Sequence, residues 1–133
     1  MKLSVTPATG GLPVAYGVCE ALRAHQVYWA EAEEGSNELR FRQYLEQVPG
    51  EKVLLVDDIL RTGRKLGELK ALLEAKGAQV MALAVVIYQP TPRTPDFSPL
   101  PLYYLAKMEA TYYRDAPSCE LCRQGLPCET VRI

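Results

Sequence analysis

Two aspartates, Asp57 and Asp58, stand side by side directly after an apolar run, Val53-Leu54-Leu55-Val56. A polar stretch follows through Arg61-Thr62-Gly63-Arg64-Lys65, and Leu66, Leu69, Leu72 and Leu73 then recur at helical spacing. Adjacent carboxylates at the carboxyl end of a strand can accept hydrogen bonds from a pair of sugar hydroxyls. Backbone N–H groups around Thr62 and Gly63, where a helix begins, can hold a phosphate. Gly63 lets the backbone approach such a group closely. A sugar diol and a terminal phosphate on one ligand describe a ribose 5-phosphate. An isolated Asp-Asp pair more often ends a strand and caps a helix. Here a buried strand, a Thr-Gly turn and a helix stand in the order that the ligand reading requires. A second segment, Thr6-Pro7-Ala8-Thr9-Gly10-Gly11-Leu12-Pro13, is a glycine-rich turn before a helix. Its N–H groups suit phosphate oxygens, although alone it is also an ordinary turn.

These segments need elements to hold them. Leu3 to Val5 suits a short strand, and Thr6 to Gly11 a turn. Leu12, Tyr16, Cys19 and Leu22 recur at helical spacing, with Pro13 suited to the first turn and Cys19 expected in the core. Val27 to Ala30 reads as a second strand, and the acidic stretch with Glu31, Glu33 and Glu34 as a solvated loop. Val53 to Val56 is continuous enough for a strand buried on both faces. Asp57 to Lys65 is expected as a polar loop, followed by a helix that Gly77 stops. Val80 to Tyr88 is another buried strand. Residues 89–101 hold five prolines and read as a loop. Tyr103 to Leu105 is a last short strand. Alternating strands and helices predict an α/β domain with a mainly parallel sheet flanked by helices, which binds ligands at the carboxyl ends of its strands.

The chain of 133 residues is long enough for one domain with a real core. Hydrophobic residues are 48% and charged residues 23%, which excludes a disordered or fibrous chain. No apolar run approaches the roughly 18 residues of a membrane span, and the N-terminus lacks a signal peptide's apolar stretch. Fifteen basic and sixteen acidic residues give a net charge of −1, so no chain-wide nucleic-acid footprint is present. A reducing, cytoplasmic setting is expected, with no disulfide framework.

The segment LLVDDILRTG resembles the signature of the type I phosphoribosyltransferases for 5-phosphoribosyl-1-pyrophosphate (PRPP). The resemblance implies that Asp57 and Asp58 face the ribose hydroxyls. It places the 5′-phosphate on Arg61, Thr62, Gly63, Arg64 and Lys65. Residues Thr6, Pro7, Ala8, Thr9, Gly10 and Gly11 are similar to the family's pyrophosphate loop in its orotate phosphoribosyltransferase form. Ala30 to Gly35 and the tail from Tyr113 to Ile133 look like one branch of the orotate enzymes. The resemblance thus covers nearly the whole chain. It implies Mg²⁺ bound with PRPP, a nucleobase as second substrate, pyrophosphate release and a homodimer. The alternative is a regulatory protein that binds PRPP or a nucleotide without turnover, and a remnant that only dimerises is a third reading.

The chain departs from the family pattern at four places. It opens at the first core strand, without the hood segment that helps enclose the base; either the protein is short or its start lies upstream. Arg61 and Lys65 stand where the family favours small hydroxyl residues. Arg61, Arg64 and Lys65 can add charge-assisted bonds to a phosphate, or crowd the loop or point into water. No lysine lies between Ala30 and Gln47, where orotate enzymes carry a catalytic one. Arg40 and Arg42 are the replacement cations there, the alternative being solvated surface residues. Tyr88-Gln89 stands where orotate enzymes have an Asp-Arg pair whose arginine meets the orotate carboxylate, with Arg93 nearby.

Cys119 and Cys122 have a spacing suited to zinc, and Cys128 follows. A closed structural site takes four ligands, so packed or surface thiols are the expectation and metal the alternative. Tyr103, Tyr104, Tyr112 and Tyr113 read as core or interface before base-stacking groups. His25 reads as exposed at a helix end.

Overall fold

The computed structural model describes residues 3–7, 9–24, 26–36, 38–41 and 49–131. The elements run β1 (Leu3–Pro7), α1 (Leu12–Leu22), β2 (Gln26–Ala32), β3 (Leu39–Phe41), β4 (Lys52–Leu60), α2 (Arg64–Ala75), β5 (Gln79–Tyr88) and β6 (Leu102–Lys107). A 3₁₀ turn (Ala116–Ser118) and a short helix, α3 (Glu120–Arg123), follow. The strands form a six-stranded sheet in the order β3-β2-β1-β4-β5-β6. The pairs β1–β2, β1–β4, β4–β5 and β5–β6 are parallel, and β2–β3 is antiparallel. The expected α/β class and mainly parallel sheet are what the chain adopts.

The order reverses between β1 and β4. From β1 the chain steps outward to β2, and from β4 it steps the other way to β5. Parallel sheets open a crevice outside the carboxyl ends of the strands at such a reversal. One sheet face packs Leu54, Val56 and Ala82 against Ala15, with Val14 and Val18 of α1 beside them. The other packs Val5, Leu55, Leu83 and Val85 against Leu66, Leu69 and Leu73 of α2. Both faces are covered, which explains the unbroken apolar runs in β4 and β5. Gly77, at φ +82°, ends the α2 turn as expected; the left-handed conformation there suits glycine alone.

Several boundaries differ from the sequence expectation. β1 runs on through Thr6 and Pro7, pairing with Trp29 and Ala30. β2 runs to Ala32, taking Glu31 from what read as an acidic loop, and pairs with the antiparallel β3. The largest correction concerns Asp57 to Lys65. The strand continues through Leu60, because β5 keeps pairing with it as far as Leu60 and Tyr88. Polar side chains do not end a strand whose backbone ladder has a partner. Only Arg61 to Gly63 remain as the turn before α2.

The inner face of α1 also differs. Tyr16 and Leu22 are 56% and 52% exposed, whereas Ala15 is fully buried. Small and β-branched residues let the helix lie close to the sheet, and the larger ones turn outward. Cys19 is therefore half-buried rather than core, and its thiol donates to the Ala24 carbonyl at 3.3 Å. Tyr103, Tyr104, Tyr112 and Tyr113 are exposed in this chain; Tyr104 packs its ring 5.4 Å from that of Tyr88. Residues 89–101 carry no regular element, as their prolines predict. His25 lies outside the described residues. No helix among the described residues is long and apolar enough to cross a membrane.

Candidate functional site

The loop after β1 and the turn after β4 meet at the reversal point. Together they line a cleft of about 690 Å³. Pro7, Thr9 and Gly10 form one wall, and Asp57, Asp58 and the run from Arg61 to Lys65 form the other, with Ile59, Leu60 and Leu66 between. Two motifs far apart in sequence thus share one cavity, because β1 and β4 are hydrogen-bonded neighbours.

The two walls touch through glycine. A Cβ on Gly10 would lie 2.5 Å from Asp58 Oδ2. A Cβ on Gly11 would lie 2.0 Å from Thr6 Oγ1, 2.9 Å from Asp57 Oδ1 and 3.2 Å from Asp57 Cα. Real side chains do not fit at such distances, so the Gly-Gly pair is what lets the first loop lie against the acids. Thr6 is fully buried beneath it, its hydroxyl donating to the Pro7 carbonyl at 3.2 Å.

The acids are locked by the strand that carries them. Asp57 Oδ1 accepts the Asp58 N–H at 2.9 Å, and Asp58 Oδ1 accepts the Ile59 N–H at 2.8 Å. Asp58 Oδ2 is the oxygen that faces Gly10. Burial pushes the Asp57 carboxyl up to about 7; the neighbouring Asp58 carboxyl adds to the rise, while the Asp58 N–H that Asp57 accepts and the Lys65 charge oppose it. A carboxyl poised near neutrality at a cleft is a common property of functional sites.

Both helices begin at the cleft. α1 starts after Gly11 with Pro13 in its first turn, and α2 starts after Gly63; neither has a side-chain cap. The first N–H groups of such helices lack intrahelical partners and face outward with the positive end of the helix dipole. They suit phosphate oxygens. Gly63 has φ +72°, a conformation that strains any side chain.

A third segment reaches this region, and the sequence reading did not include it. The Thr94 hydroxyl donates to the Arg61 carbonyl, and the Gln89 N–H donates to the Leu60 carbonyl at 2.9 Å. A Cβ on Gly63 would lie 2.8 Å from Pro95 Cδ. The proline-rich stretch therefore lies over the turn before α2. Thr91-Pro92-Arg93-Thr94 signals only a local turn, since threonine hydroxyls beside proline close such turns; its contact with Arg61 has no signal in the sequence.

Other expected site residues lie elsewhere. Arg40 sits on the edge strand β3 and pairs with Glu33 at 3.2 Å; it does not line the cleft. Arg42 and Ala8 lie outside the described residues. The Cys122 N–H donates to Cys119 Sγ at 3.4 Å, and that bond holds the Cys119 thiol below its ordinary value. Among the described residues, no group of three His, Cys, Asp or Glu side chains is placed to hold a metal ion. Tyr88 closes β5, and its carbonyl accepts the Met108 N–H at 2.8 Å.

The family model of the phosphoribosyl transferase domain matches residues 5–99. The orotate phosphoribosyltransferase of Thermotoga maritima is 36% identical over 125 residues, covering 94% of this chain and 64% of the relative. That of Carboxydothermus hydrogenoformans is 33% identical over 126 residues, covering 95% of this chain and 63% of the relative. The chain therefore spans less than two thirds of the length of these relatives. Among solved structures, adenine phosphoribosyltransferase from Rhodothermus marinus matches with a TM-score of 0.67 at 18% identity, over 81% of this chain and 70% of that one. Orotate phosphoribosyltransferase from Aeropyrum pernix matches at 0.62 and 19%, over 80% and 60%. At such identities the likeness is one of fold.

Proposed function

This chain belongs to the type I phosphoribosyltransferase family, and on that premise we propose that its cleft binds PRPP and transfers the phosphoribosyl group to a nucleobase nitrogen. The bond between C1 and the pyrophosphate oxygen breaks, the C1–N bond forms, and pyrophosphate leaves. The observation that carries this reading is the contact of Gly10 and Gly11 with Asp58 and Asp57. That contact sets a glycine turn suited to phosphate beside an acid pair suited to a diol, which supports the reading.

In this reading Asp57 and Asp58 hold the ribose hydroxyls. The turn from Arg61 to Lys65 and the start of α2 take the 5′-phosphate. Residues 6–11 and the start of α1 receive the pyrophosphate. The rate gain comes from holding both phosphates at fixed separation and from N–H dipoles aimed at the leaving group. Arg42 supplies further positive charge to the departing pyrophosphate, and Arg40, paired with Glu33 on β3, is left out of that role. The donor set suits Mg²⁺, since an ion held chiefly by substrate phosphates needs only one or two protein carboxylates, and Asp57 and Asp58 stand at the cleft. Bound with PRPP, that ion neutralises phosphate charge. Orotate is the first base to test, given the relatives named above. The active form in this proposal is a cytoplasmic homodimer.

The test is pyrophosphate release from PRPP and Mg²⁺ that depends on an added base. Release with one of orotate, uracil, adenine, hypoxanthine or xanthine is expected. No release with any of them contradicts the catalytic reading. A second reading, a binding protein without turnover, is favoured by the ion pair that holds Arg40 to Glu33 away from the cleft. Saturable PRPP binding without release supports it.

A further inference from the structure

The turn that faces the 5′-phosphate in the proposed function has little support of its own. It is three residues, Arg61 to Gly63, between the end of β4 and the start of α2. Arg61 and Thr62 are exposed, and α2 has no side-chain cap. Its backbone must nevertheless hold one conformation if its N–H groups are to meet a phosphate.

The support comes from the proline-rich stretch. Thr94 is the hub of a closed turn: its hydroxyl oxygen accepts the Thr91 N–H at 2.8 Å, and its own N–H donates to the Thr91 carbonyl at 3.1 Å. The Arg93 N–H donates to Thr91 Oγ1 at 3.1 Å. Thr91 Oγ1 lies 3.3 Å from Thr94 Oγ1, and with Thr91 as the donor of that pair the Thr94 hydroxyl donates its own proton to the Arg61 carbonyl. The next residue, Pro95, sits against Gly63, leaving no room for a Cβ there. Pro92 and Pro95 restrict the backbone on either side, so the hydroxyl is held in place at low entropic cost.

We propose that Thr94 is a positioning residue, which fixes the Arg61–Gly63 backbone for the 5′-phosphate through its bond to the Arg61 carbonyl. The proposal rests on the assignment of that turn to the 5′-phosphate. Thr94 itself does not line the cleft, so its effect must pass through the turn. It should therefore act on one end of the substrate only. The pyrophosphate wall, Thr6 to Gly11, is supported by Thr6 and α1, and its described residues make no hydrogen bond to the stretch 89–101.

The experiment measures calorimetric affinities for ribose 5-phosphate and, separately, for inorganic pyrophosphate, both with MgCl₂. It compares the wild-type chain with Thr94→Val and Thr94→Ser, together with their melting temperatures. Valine keeps the shape and loses the hydroxyl, and serine keeps the hydroxyl. Thr94→Val should bind ribose 5-phosphate roughly fivefold more weakly, the factor one ordinary hydrogen bond carries. Its pyrophosphate affinity should be unchanged, and Thr94→Ser should recover most of the loss. Equal ribose 5-phosphate affinity in wild type and Thr94→Val overturns the proposal. Equal weakening toward both ligands overturns it too, because the residue would then be merely structural. If the wild-type chain binds pyrophosphate but no ribose 5-phosphate, the assignment of the turn is wrong, and the proposal falls with it.

Discussion

Asp57 is the residue on which pH should act. Its carboxyl is ordinarily at 3.8, and burial beside Asp58 raises it to about 7. Between those values the folded chain keeps a proton that the unfolded chain has released. Its contribution to stability is therefore fully present below about pH 4, declines as pH rises toward 7, and is absent above it. The span is on the order of 4 kcal/mol at most. Denaturant titrations of wild type and Asp57→Asn at pH 5 and pH 8 check this. The wild type should lose stability relative to Asp57→Asn between the two, and parallel pH profiles would contradict the account. Asp58 Oδ2 faces Gly10 across the cleft, so Asp58→Asn should spare the fold and weaken a ribose ligand.

The glycine-rich loop and the two helices give sharper tests of how elements build the site. On Gly10, an added Cβ meets only the end of the Asp58 carboxylate, whereas on Gly11 it meets buried Thr6 and the backbone of Asp57. Gly11→Ala should therefore cost stability, roughly 1–3 kcal/mol as an overpacked core does. Gly10→Ala should leave the melting temperature near that of wild type and displace the acid, weakening ligand binding. The reverse ranking of the two melting temperatures would refute the packing described here. On α2, Leu69 is fully buried against the sheet, and Leu69→Ala should cost about 2–5 kcal/mol in denaturant unfolding.

Those elements differ in how legible they are. The order of strands and helices is readable because apolar runs and helical spacing report burial directly, and so is the meeting of the two glycine-containing turns, since an α/β alternation brings strand ends together. The extent of β4 past Asp57 is not, because it depends on β5 remaining its partner through Tyr88. The inner face of α1 is not either. Leu12, Tyr16, Cys19 and Leu22 make as good a periodic face as Val14, Ala15 and Val18, and only close packing on the sheet selects the smaller set. The contact of Thr94 with Arg61 joins residues 33 apart, and no local pattern encodes it.

The molecule as a whole leaves one edge of the sheet unlike the rest. Tyr103 and Leu105 on β6 are 61% and 86% exposed, and Tyr112, Tyr113, Leu121 and Leu126 in the tail are exposed as well. An open edge strand with exposed large hydrophobics is a surface for association. The homodimer proposed above should use it. Light scattering at micromolar concentration should give twice the chain mass of 14.8 kDa, and Leu105→Lys should shift it toward the monomer. A monomer at every concentration would contradict this. All of this serves one cavity, at the point where the sheet order reverses. The decisive measurement is a calorimetric titration of the chain with PRPP and Mg²⁺, repeated with Asp58→Asn. Saturable binding at one site per chain, weakened roughly tenfold or more by the substitution, is the predicted result. No saturable binding, or equal binding by both chains, would contradict the assignment of this cleft to a phosphoribosyl ligand.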